Sequence, residues 1–209
     1  MSSLDKLVEG FKRFRAHSFA DDDTQFHDLV QFGQMPTTMV VGCCDSRVDP
    51  ALILDCAPGD LFVIRNVANL VPPAENQGHY HGTSAALEFG VRNLAVQHII
   101  VLGHAQCGGI HALLEGGVAR DDSFISAWME IADAAREQIE REHAGASSEE
   151  RHRACEQQAI LVSLNNLMTF SWVRERVEQG HLALHGWYFD MERGELLGYD
   201  PAAGRFKTL

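Results

Sequence analysis

Two short stretches of this sequence combine residue types that can do chemistry. One is the run CCDSR at 43–47, and the other, about 60 residues later, is HAQCGG at 104–109. Thiolate and imidazole groups are preferred ligands of Zn²⁺. His104 and Cys107 are close enough in sequence to share one ion, and either Cys43 or Cys44 can supply a third ligand. Three protein ligands with one open position is the pattern of a catalytic zinc site.

An alternative interpretation is that these residues are buried free cysteines and a satisfied histidine at a strand end. It is the better interpretation for any one of them alone, whereas the pair of motifs favours the zinc site. A structural zinc site normally has four protein ligands, often two cysteine pairs. Cys56 and Cys155 stand alone and form no second pair.

The charged residues Asp45 and Arg47 lie beside the first candidate ligand. Arg47 can hold the Asp45 carboxylate through a bidentate contact, and a carboxylate held in this way can orient a metal-bound water. The alternative is a surface ion pair of little energetic value. Two thiolates offset the charge of the ion, so we expect its water to have a pKa above the value of about 7 found at three-histidine sites. Activity should then rise toward alkaline pH.

Both motifs follow apolar, β-branched segments that are typical of buried parallel strands. Sites in open α/β sheets form at the carboxyl ends of strands, so neighbouring strands can bring the two motifs together. The glycines after Cys107 place backbone N–H groups at a helix start, which suits a small anion. The pattern predicts strands at 37–42, 61–66, 98–103 and 182–190, with a final edge strand at 195–199.

Helical periodicity marks the segments between and around these strands. The first two segments form an N-terminal helical arm within 1–34 that packs on its own domain or on a partner subunit. Ser147–Glu150 and Asp121–Ser123 are typical helix starts. The predicted helices cover residues 3–17, 24–32, 83–95, 121–144 and 149–179.

Composition narrows the class of protein. A chain of 209 residues with no shift in composition predicts a single domain over 1–209. Its net charge of −12 argues against nucleic acids and anionic membrane surfaces as partners. The first 20 residues carry charge throughout and do not resemble a signal peptide, and no apolar run is long enough for a bilayer. We therefore expect a cytoplasmic protein whose five cysteines are reduced.

The combination C-x-D-S-R and H-x-x-C-G-G at this spacing resembles the signature of the β-class carbonic anhydrases. The run RNVANLVPP at 65–73 is similar to the plant-type branch of that family. The resemblance implies reversible hydration of carbon dioxide to bicarbonate and a proton, through hydroxide on zinc. It implies one Zn²⁺ per subunit, held by Cys43, His104 and Cys107, with Asp45 and Arg47 as the catalytic pair. It also implies a four-stranded parallel sheet with an antiparallel edge strand, flanked by helices.

The resemblance also implies a substrate site. Gln34 corresponds to a glutamine that hydrogen-bonds substrate, and Gly108 to a glycine whose N–H faces it. Phe62, Val67 and Phe89 correspond to the lining of a small apolar pocket, which suits an uncharged linear molecule. Plain core packing is the alternative role for Phe62 and Phe89.

The sequence departs from the plant-type pattern at several positions. Phe89 replaces a tyrosine and Asn93 replaces a histidine that is a candidate proton carrier, so the proton exit differs here. His79 and His81 can substitute, although simple exposure is the more ordinary role for both. Val40 stands where a self-regulating branch of the family has tryptophan. We therefore expect no regulatory pocket, and an Asp45 held by Arg47 rather than bound to zinc.

The family implies a homodimer, or a dimer of dimers, in which the helical arm embraces the partner and the sites lie at the interface. Two other functions use the same residues. One is hydrolysis of carbon disulfide or carbonyl sulfide. The other is zinc binding without turnover, which the Asp45–Arg47 pair and the missing fourth protein ligand disfavour.

Overall fold

The computed structural model describes residues 2–20, 25–75, 80–116 and 123–209, and a mixed β-sheet lies at its centre. In these ranges the sheet has six strands in the order β2-β1-β3-β4-β5-β6. The first four are parallel to one another, and the last two are antiparallel. The strands are β1 (Thr38–Cys43), β2 (Leu61–Asn66), β3 (His98–His104), β4 (Ala183–Asp190), β5 (Glu195–Asp200) and β6 (Arg205–Thr208).

The predicted α/β class is confirmed, but the expected strand count was wrong. After the predicted edge strand β5, the chain turns again and adds β6 as a second antiparallel strand. This segment was missed because its four residues include a single large apolar side chain, Phe206. That ring packs against Tyr199 and Tyr188, with centroid separations of 5.3 and 6.3 Å. The contact explains why so short a polar segment joins the sheet.

Nine α-helices surround the sheet in the described ranges. Helices α1 and α8 each begin with a capping box, at Ser2 and at Ser147. The α-helices are α1 (Ser3–Ser18), α2 (Gln25–Phe32), α3 (Pro50–Ile53), α4 (Gly82–Glu88), α5 (Gly108–Leu114), α6 (Phe124–Met129), α7 (Asp133–Glu142), α8 (Ser148–Leu167) and α9 (Ser171–Glu178).

Three predicted helices are interrupted. The segment predicted at 83–95 becomes a π-helical turn at Phe89–Asn93, and the one predicted at 121–144 is broken by a 3₁₀ turn at Glu130–Ala132. Of its predicted start, Asp121 and Asp122 lie outside the described residues, while Ser123 caps α6. The segment predicted at 149–179 is split because Phe170 adopts an extended backbone and buries its ring in the core.

Successive side chains of a strand point to opposite faces of the sheet, and here both faces are buried. Met39 and Val41 of β1 belong to the larger apolar cluster, while Val40 belongs to a smaller one. Two glycines of the sheet let α8 pack closely on the face that carries the larger apolar cluster. A Cβ at Gly103 would lie 2.7 Å from Ile160 of α8, and one at Gly186 would lie 3.0 Å from the same side chain. Gly103 therefore lets α8 approach β3, which ends at His104, and Gly186 lets it approach the neighbouring β4.

The N-terminal arm exposes its apolar face. Helix α1 has no buried residue, and the rings of Phe14, Phe19 and Phe26 pack on one another between α1 and α2. The exposed apolar side chains of the arm include Leu4, Leu7, Val8, Phe11, Phe14, Phe19, Val30 and Phe32. None of the helices in the described ranges has the length and apolar character that a bilayer crossing requires.

Candidate metal centre and catalytic site

Two adjacent strands and the start of one helix bring three metal-ligand side chains together. Cys43 ends β1, His104 ends β3, and Cys107 is the N-cap of α5. Since β1 and β3 pair in parallel, their carboxyl ends meet at one edge of the sheet. The ligand atoms of these residues all lie within 4.8 Å of one another. All three residues are buried, and we refer to them as the buried cluster.

His104 is prepared for a ligand on one of its two ring nitrogens. Its Nδ1 lies 2.8 Å from the carbonyl oxygen of Ala105, which makes Nδ1 a protonated donor and leaves Nε2 as the nitrogen that can bind an ion. Its Nε2 is buried and has no hydrogen-bond partner. A buried polar atom without a partner is costly, and an ion would satisfy it. One such nitrogen and two sulfur atoms form a donor set that fits Zn²⁺.

The two thiols of the buried cluster interact directly. The hydrogen bond between them lowers the pKa of Cys43 and raises the pKa of Cys107, so one thiolate and one thiol share a proton. Both cysteines are free rather than joined in a disulfide. A cation in this position would replace the shared proton, because thiolates are the metal-binding form.

The turn between His104 and Cys107 is held from both sides. Gln106 adopts a φ of 57°, in the left-handed region that is uncommon for residues with a side chain. Its carbonyl oxygen accepts a hydrogen bond of 3.2 Å from Nη2 of Arg47, and its side-chain amide donates to Glu192. These contacts fix the turn in the conformation that brings the side chains of His104 and Cys107 to the same site.

Asp45 and Arg47 form the contact that the sequence predicted. Nε and Nη2 of Arg47 donate to the two carboxylate oxygens of Asp45 at 2.9 and 2.7 Å, and the Arg47 backbone N–H donates at 2.9 Å. The Arg47 guanidinium holds the pKa of Asp45 well below its usual range. The carboxylate is thus an ionised acceptor at neutral pH, fixed in orientation two residues from Cys43.

Arg65 fastens the loop that carries this pair. From β2, its Nε donates to the carbonyl oxygen of Cys43 at 2.9 Å, and its Nη2 donates to that of Asp45 at 2.7 Å. Its Nη1 donates to Asp49 at 2.9 Å. One planar guanidinium therefore ties three points of a seven-residue loop, which a lysine could not do.

Glu156 of α8 is a buried charged residue that sequence reasoning missed. Its Oε1 accepts a hydrogen bond of 3.0 Å from the backbone N–H of Cys107, and its Oε2 accepts one of 2.7 Å from the hydroxyl of Tyr188. Burial raises the pKa of Glu156, and both hydrogen bonds oppose that rise. In the sequence this residue is one of many charged residues on a long helix, and no local signal separates it from the others.

Only some of the residues predicted to bind substrate lie together in the structure. Gly108 follows Cys107 directly, and Val67 touches the position that a Cβ of Gly109 would occupy, at 3.0 Å. Phe62 and Phe89 stack on each other with centroids 5.9 Å apart. Gln34 is exposed in the single chain, between α2 and β1. The substrate roles of Gln34, Phe62, Val67, Phe89 and Gly108 stay predictions.

The residues at which the sequence departs from the plant-type pattern, Phe89 and Asn93, lie in an irregular segment. Phe89 and Asn93 bound the π-helical turn, in which the N–H of Leu94 bonds to the carbonyl oxygen of Phe89 at 3.0 Å. His81 is exposed directly before α4, and His79 lies outside the described residues.

Comparison with known proteins supports a family assignment. Residues 38–196 match the family described as carbonic anhydrase. The mitochondrial beta carbonic anhydrase 6 of Arabidopsis thaliana is 38% identical over 190 residues, which cover 90% of this chain and 64% of that relative. The chain thus spans a little under two thirds of that protein.

Solved structures agree with the sequence comparison. The β-carbonic anhydrase CcaA superposes with a TM-score of 0.93 at 33% identity, covering 100% of this chain and 93% of that one. A β-carbonic anhydrase of Sordaria macrospora, described as tetrameric, gives a TM-score of 0.77 at 29% identity, covering 92% and 93% of the two chains. The chain therefore belongs to the carbonic anhydrase family, and these relatives are of the β class.

Proposed function

We propose that this protein is a zinc-dependent carbonate dehydratase that interconverts carbon dioxide and water with bicarbonate and a proton. The observation that carries the proposal is the unpartnered, buried Nε2 of His104 within 4.8 Å of the cysteine ligand atoms of the buried cluster. The oriented Asp45 carboxylate lies two residues from Cys43 on the same loop. Family membership supplies independent support for this activity.

Cys43, His104 and Cys107 would hold one Zn²⁺ per subunit. When bound, zinc supplies a Lewis acid that lowers the pKa of water and so generates a nucleophile at a lower pH than free water would. Asp45 is not a fourth protein ligand in this arrangement, because Arg47 holds its carboxylate and the ligand atoms that lie within 4.8 Å of one another do not include it. Three ligands from the protein leave a position for the reacting molecule, as in catalytic zinc sites in general.

Asp45 and Arg47 act together on the nucleophile. The ionised carboxylate accepts a hydrogen bond from the attacking water, which turns an oxygen lone pair toward the substrate carbon. Arg47 keeps this acceptor ionised and fixes its direction through a bidentate contact. Arg65 holds the same loop from β2 and acts as a positioning residue.

The substrate pocket is formed by apolar side chains and one open backbone position. Carbon dioxide is uncharged and small, so Phe62, Val67 and Phe89 suit it better than charged groups do. Gly108 contributes a backbone N–H, and Gln34 a side-chain amide, to a product that is a hydrogen-bonding anion. The released proton leaves by a route without the histidine that Asn93 replaces, and His81 is its candidate carrier.

The assembly is at least a homodimer, and a dimer of dimers is consistent with the tetrameric relative. The exposed apolar face of α1 supports this, since a face of that kind is buried by a partner subunit in a stable oligomer. We assign 1–209 to one carbonic anhydrase domain with residues 1–34 as an arm. Cytoplasmic location stays a prediction, because one relative is mitochondrial.

Stopped-flow hydration of carbon dioxide against pH tests the proposal. Cys107→Ser should lose both zinc and activity, whereas Asp45→Asn should keep zinc and lose turnover. Cys44→Ser is a matched control, because Cys44 is the exposed neighbour of a ligand. It should keep zinc content and rate. Zinc-loaded wild-type protein without hydratase activity would leave only the non-catalytic function, and turnover confined to carbonyl sulfide or carbon disulfide would replace the substrate.

A further inference from the structure

A second group of metal-ligand side chains lies on the helices behind the buried cluster. His111 on α5 and Glu115 directly after it are four residues apart, which places them on one helical face. His152 of α8 faces them. One ligand atom from each residue lies within 4.8 Å of the other two. We refer to His111, Glu115 and His152 as the surface cluster.

The separations within the surface cluster match the edges of a small coordination shell. Nε2 of His152 lies 3.1 Å from Nδ1 of His111 and 3.5 Å from Oε1 of Glu115. Two ligands each about 2.0–2.1 Å from a tetrahedral ion are roughly 3.4 Å apart. An ion can therefore enter with small side-chain movements and no change in the backbone.

The environment of His152 also suits a metal. Burial lowers the pKa of His152, and the nearby imidazole of His111 lowers it further. Neutral imidazole is the form that binds metal ions.

A second pair of histidines shows what the surface cluster adds. His98 and His185, on β3 and β4, bring ring nitrogens to 3.2 Å, almost the same separation. In the described ranges, however, no carboxylate completes that pair into a group of three ligands. The pair on α5 and α8 has Glu115, which gives the set of two imidazoles and one carboxylate that is known from catalytic zinc sites.

We propose that His111, Glu115 and His152 bind a second divalent transition-metal ion, of the Zn²⁺ or Ni²⁺ type, separate from the buried cluster. Two imidazoles exclude Mg²⁺ and Ca²⁺, which prefer oxygen ligands. The histidines line a cleft of about 560 Å³ that also contains Gly108, so solvent can complete the coordination.

Occupancy of this site would connect the two helices that support the buried cluster. Helix α5 begins at Cys107 and Gly108, and α8 carries Glu156, which accepts the Cys107 N–H. An ion between His111 and His152 would cross-link these helices about one turn from those contacts. The surface cluster is thus positioned to stabilise the metal centre without touching it.

The test uses zinc-loaded, tag-free protein from which loose metal has been removed by gel filtration. Ni²⁺ is the probe, because it favours imidazole ligands and can be counted separately from zinc. Calorimetric titration with elemental analysis should show one Ni²⁺ per subunit in addition to the retained zinc. Loss of a residue that only orients a ligand costs about 10–100-fold in affinity, so His111→Gln and His152→Gln should each weaken Ni²⁺ binding at least about tenfold.

Two further variants make the result decisive. Glu115→Gln keeps both histidines and should also weaken Ni²⁺ binding, by about tenfold. His98→Gln is the matched control and should bind Ni²⁺ like the wild type. All variants should keep zinc content and hydration rate, which shows that they are folded. Absence of extra Ni²⁺ in the wild type, unchanged binding in His111→Gln, or equal loss in His98→Gln would each overturn the proposal.

Discussion

The buried cluster and the surface cluster contain three metal-ligand side chains each, but they differ in what holds them. The buried cluster is fixed by two parallel strands, and its residues are at most 6% exposed. The surface cluster joins the end of one short helix to the face of another, and two of its three residues are exposed. A strand end fixes ligand positions before any ion arrives, whereas helix side chains need the ion to complete their arrangement. The first is suited to catalysis and the second to adjustable binding.

The largest expected effect separates the two clusters by their metal. His104→Gln should remove zinc from the buried cluster and reduce hydration at least about a hundredfold, because water without the metal is a far weaker nucleophile. His111→Gln should keep the zinc and the rate. Elemental analysis and stopped-flow assays on both variants measure this. Equal zinc loss in the two variants would show that the clusters are not independent.

The two motifs of the buried cluster stood out in the sequence because their signal is local, and the family resemblance then implied Cys43 rather than Cys44 as the third ligand. Cys43 and His104 each follow an apolar strand directly, and parallel pairing then brings the strand ends together. The surface cluster gave no such signal, since His152 lies 41 residues from His111 on a helix rich in charged residues. Their proximity depends on the packing of α8 against β3, which Gly103 and Ile160 determine.

The same reason accounts for Glu156 and for the missed strand. The contact from Glu156 to Cys107 spans 49 residues and becomes visible only when α8 is placed on the sheet. Strand β6 depends on the packing of Phe206 against tyrosines of two other strands, which a four-residue pattern cannot show. By contrast, the local apolar pattern was sufficient to predict β2, and the predicted bounds agree with the observed strand Leu61–Asn66.

The next effect tests whether α8 supports the buried cluster. Glu156→Ala leaves the Cys107 N–H and the Tyr188 hydroxyl without their acceptor in the interior, and each unsatisfied group costs about 1–3 kcal/mol. We expect lower stability in urea and weaker zinc retention against a chelator. Glu156→Gln keeps one carbonyl acceptor for Cys107 and should recover most of the zinc retention. Equal zinc retention in all three proteins would limit Glu156 to core packing.

A smaller effect concerns acid stability. Asp190 is almost fully buried and pairs with Arg153 of α8 at 2.8 Å, and Arg153 lies between the residues that serve the two clusters. Burial is the largest influence and opposes ionisation of Asp190. The hydrogen bond and charge of Arg153, together with the backbone N–H groups of Glu192 and Arg193, outweigh it and hold the pKa of Asp190 below its usual range.

Because the folded pKa of Asp190 lies below the unfolded value, the pair stabilises the protein fully above about pH 4 and loses its contribution as the pH falls through the folded pKa. Urea midpoints of the wild type should therefore fall more steeply below pH 4 than those of Asp190→Asn. Comparing the two proteins cancels the metal loss that both suffer in acid. Parallel pH curves would mean that this pair does not fasten α8.

The smallest effect is expected at the surface cluster itself, in protein that holds zinc in the buried cluster but is free of added metal. Glu115 is more than half exposed, and its contact with His152 is 3.5 Å long. Such a pair is worth about 0.5 kcal/mol or less. The free energy of unfolding of Glu115→Gln should therefore differ from that of the wild type by no more than this amount. At a Ni²⁺ concentration 100 times the dissociation constant, the wild type should gain about 2.7 kcal/mol and the variant clearly less. A difference that is as large without Ni²⁺ as with it would make Glu115 a structural residue, and the contrast between a preformed cluster and an ion-completed one would then fail.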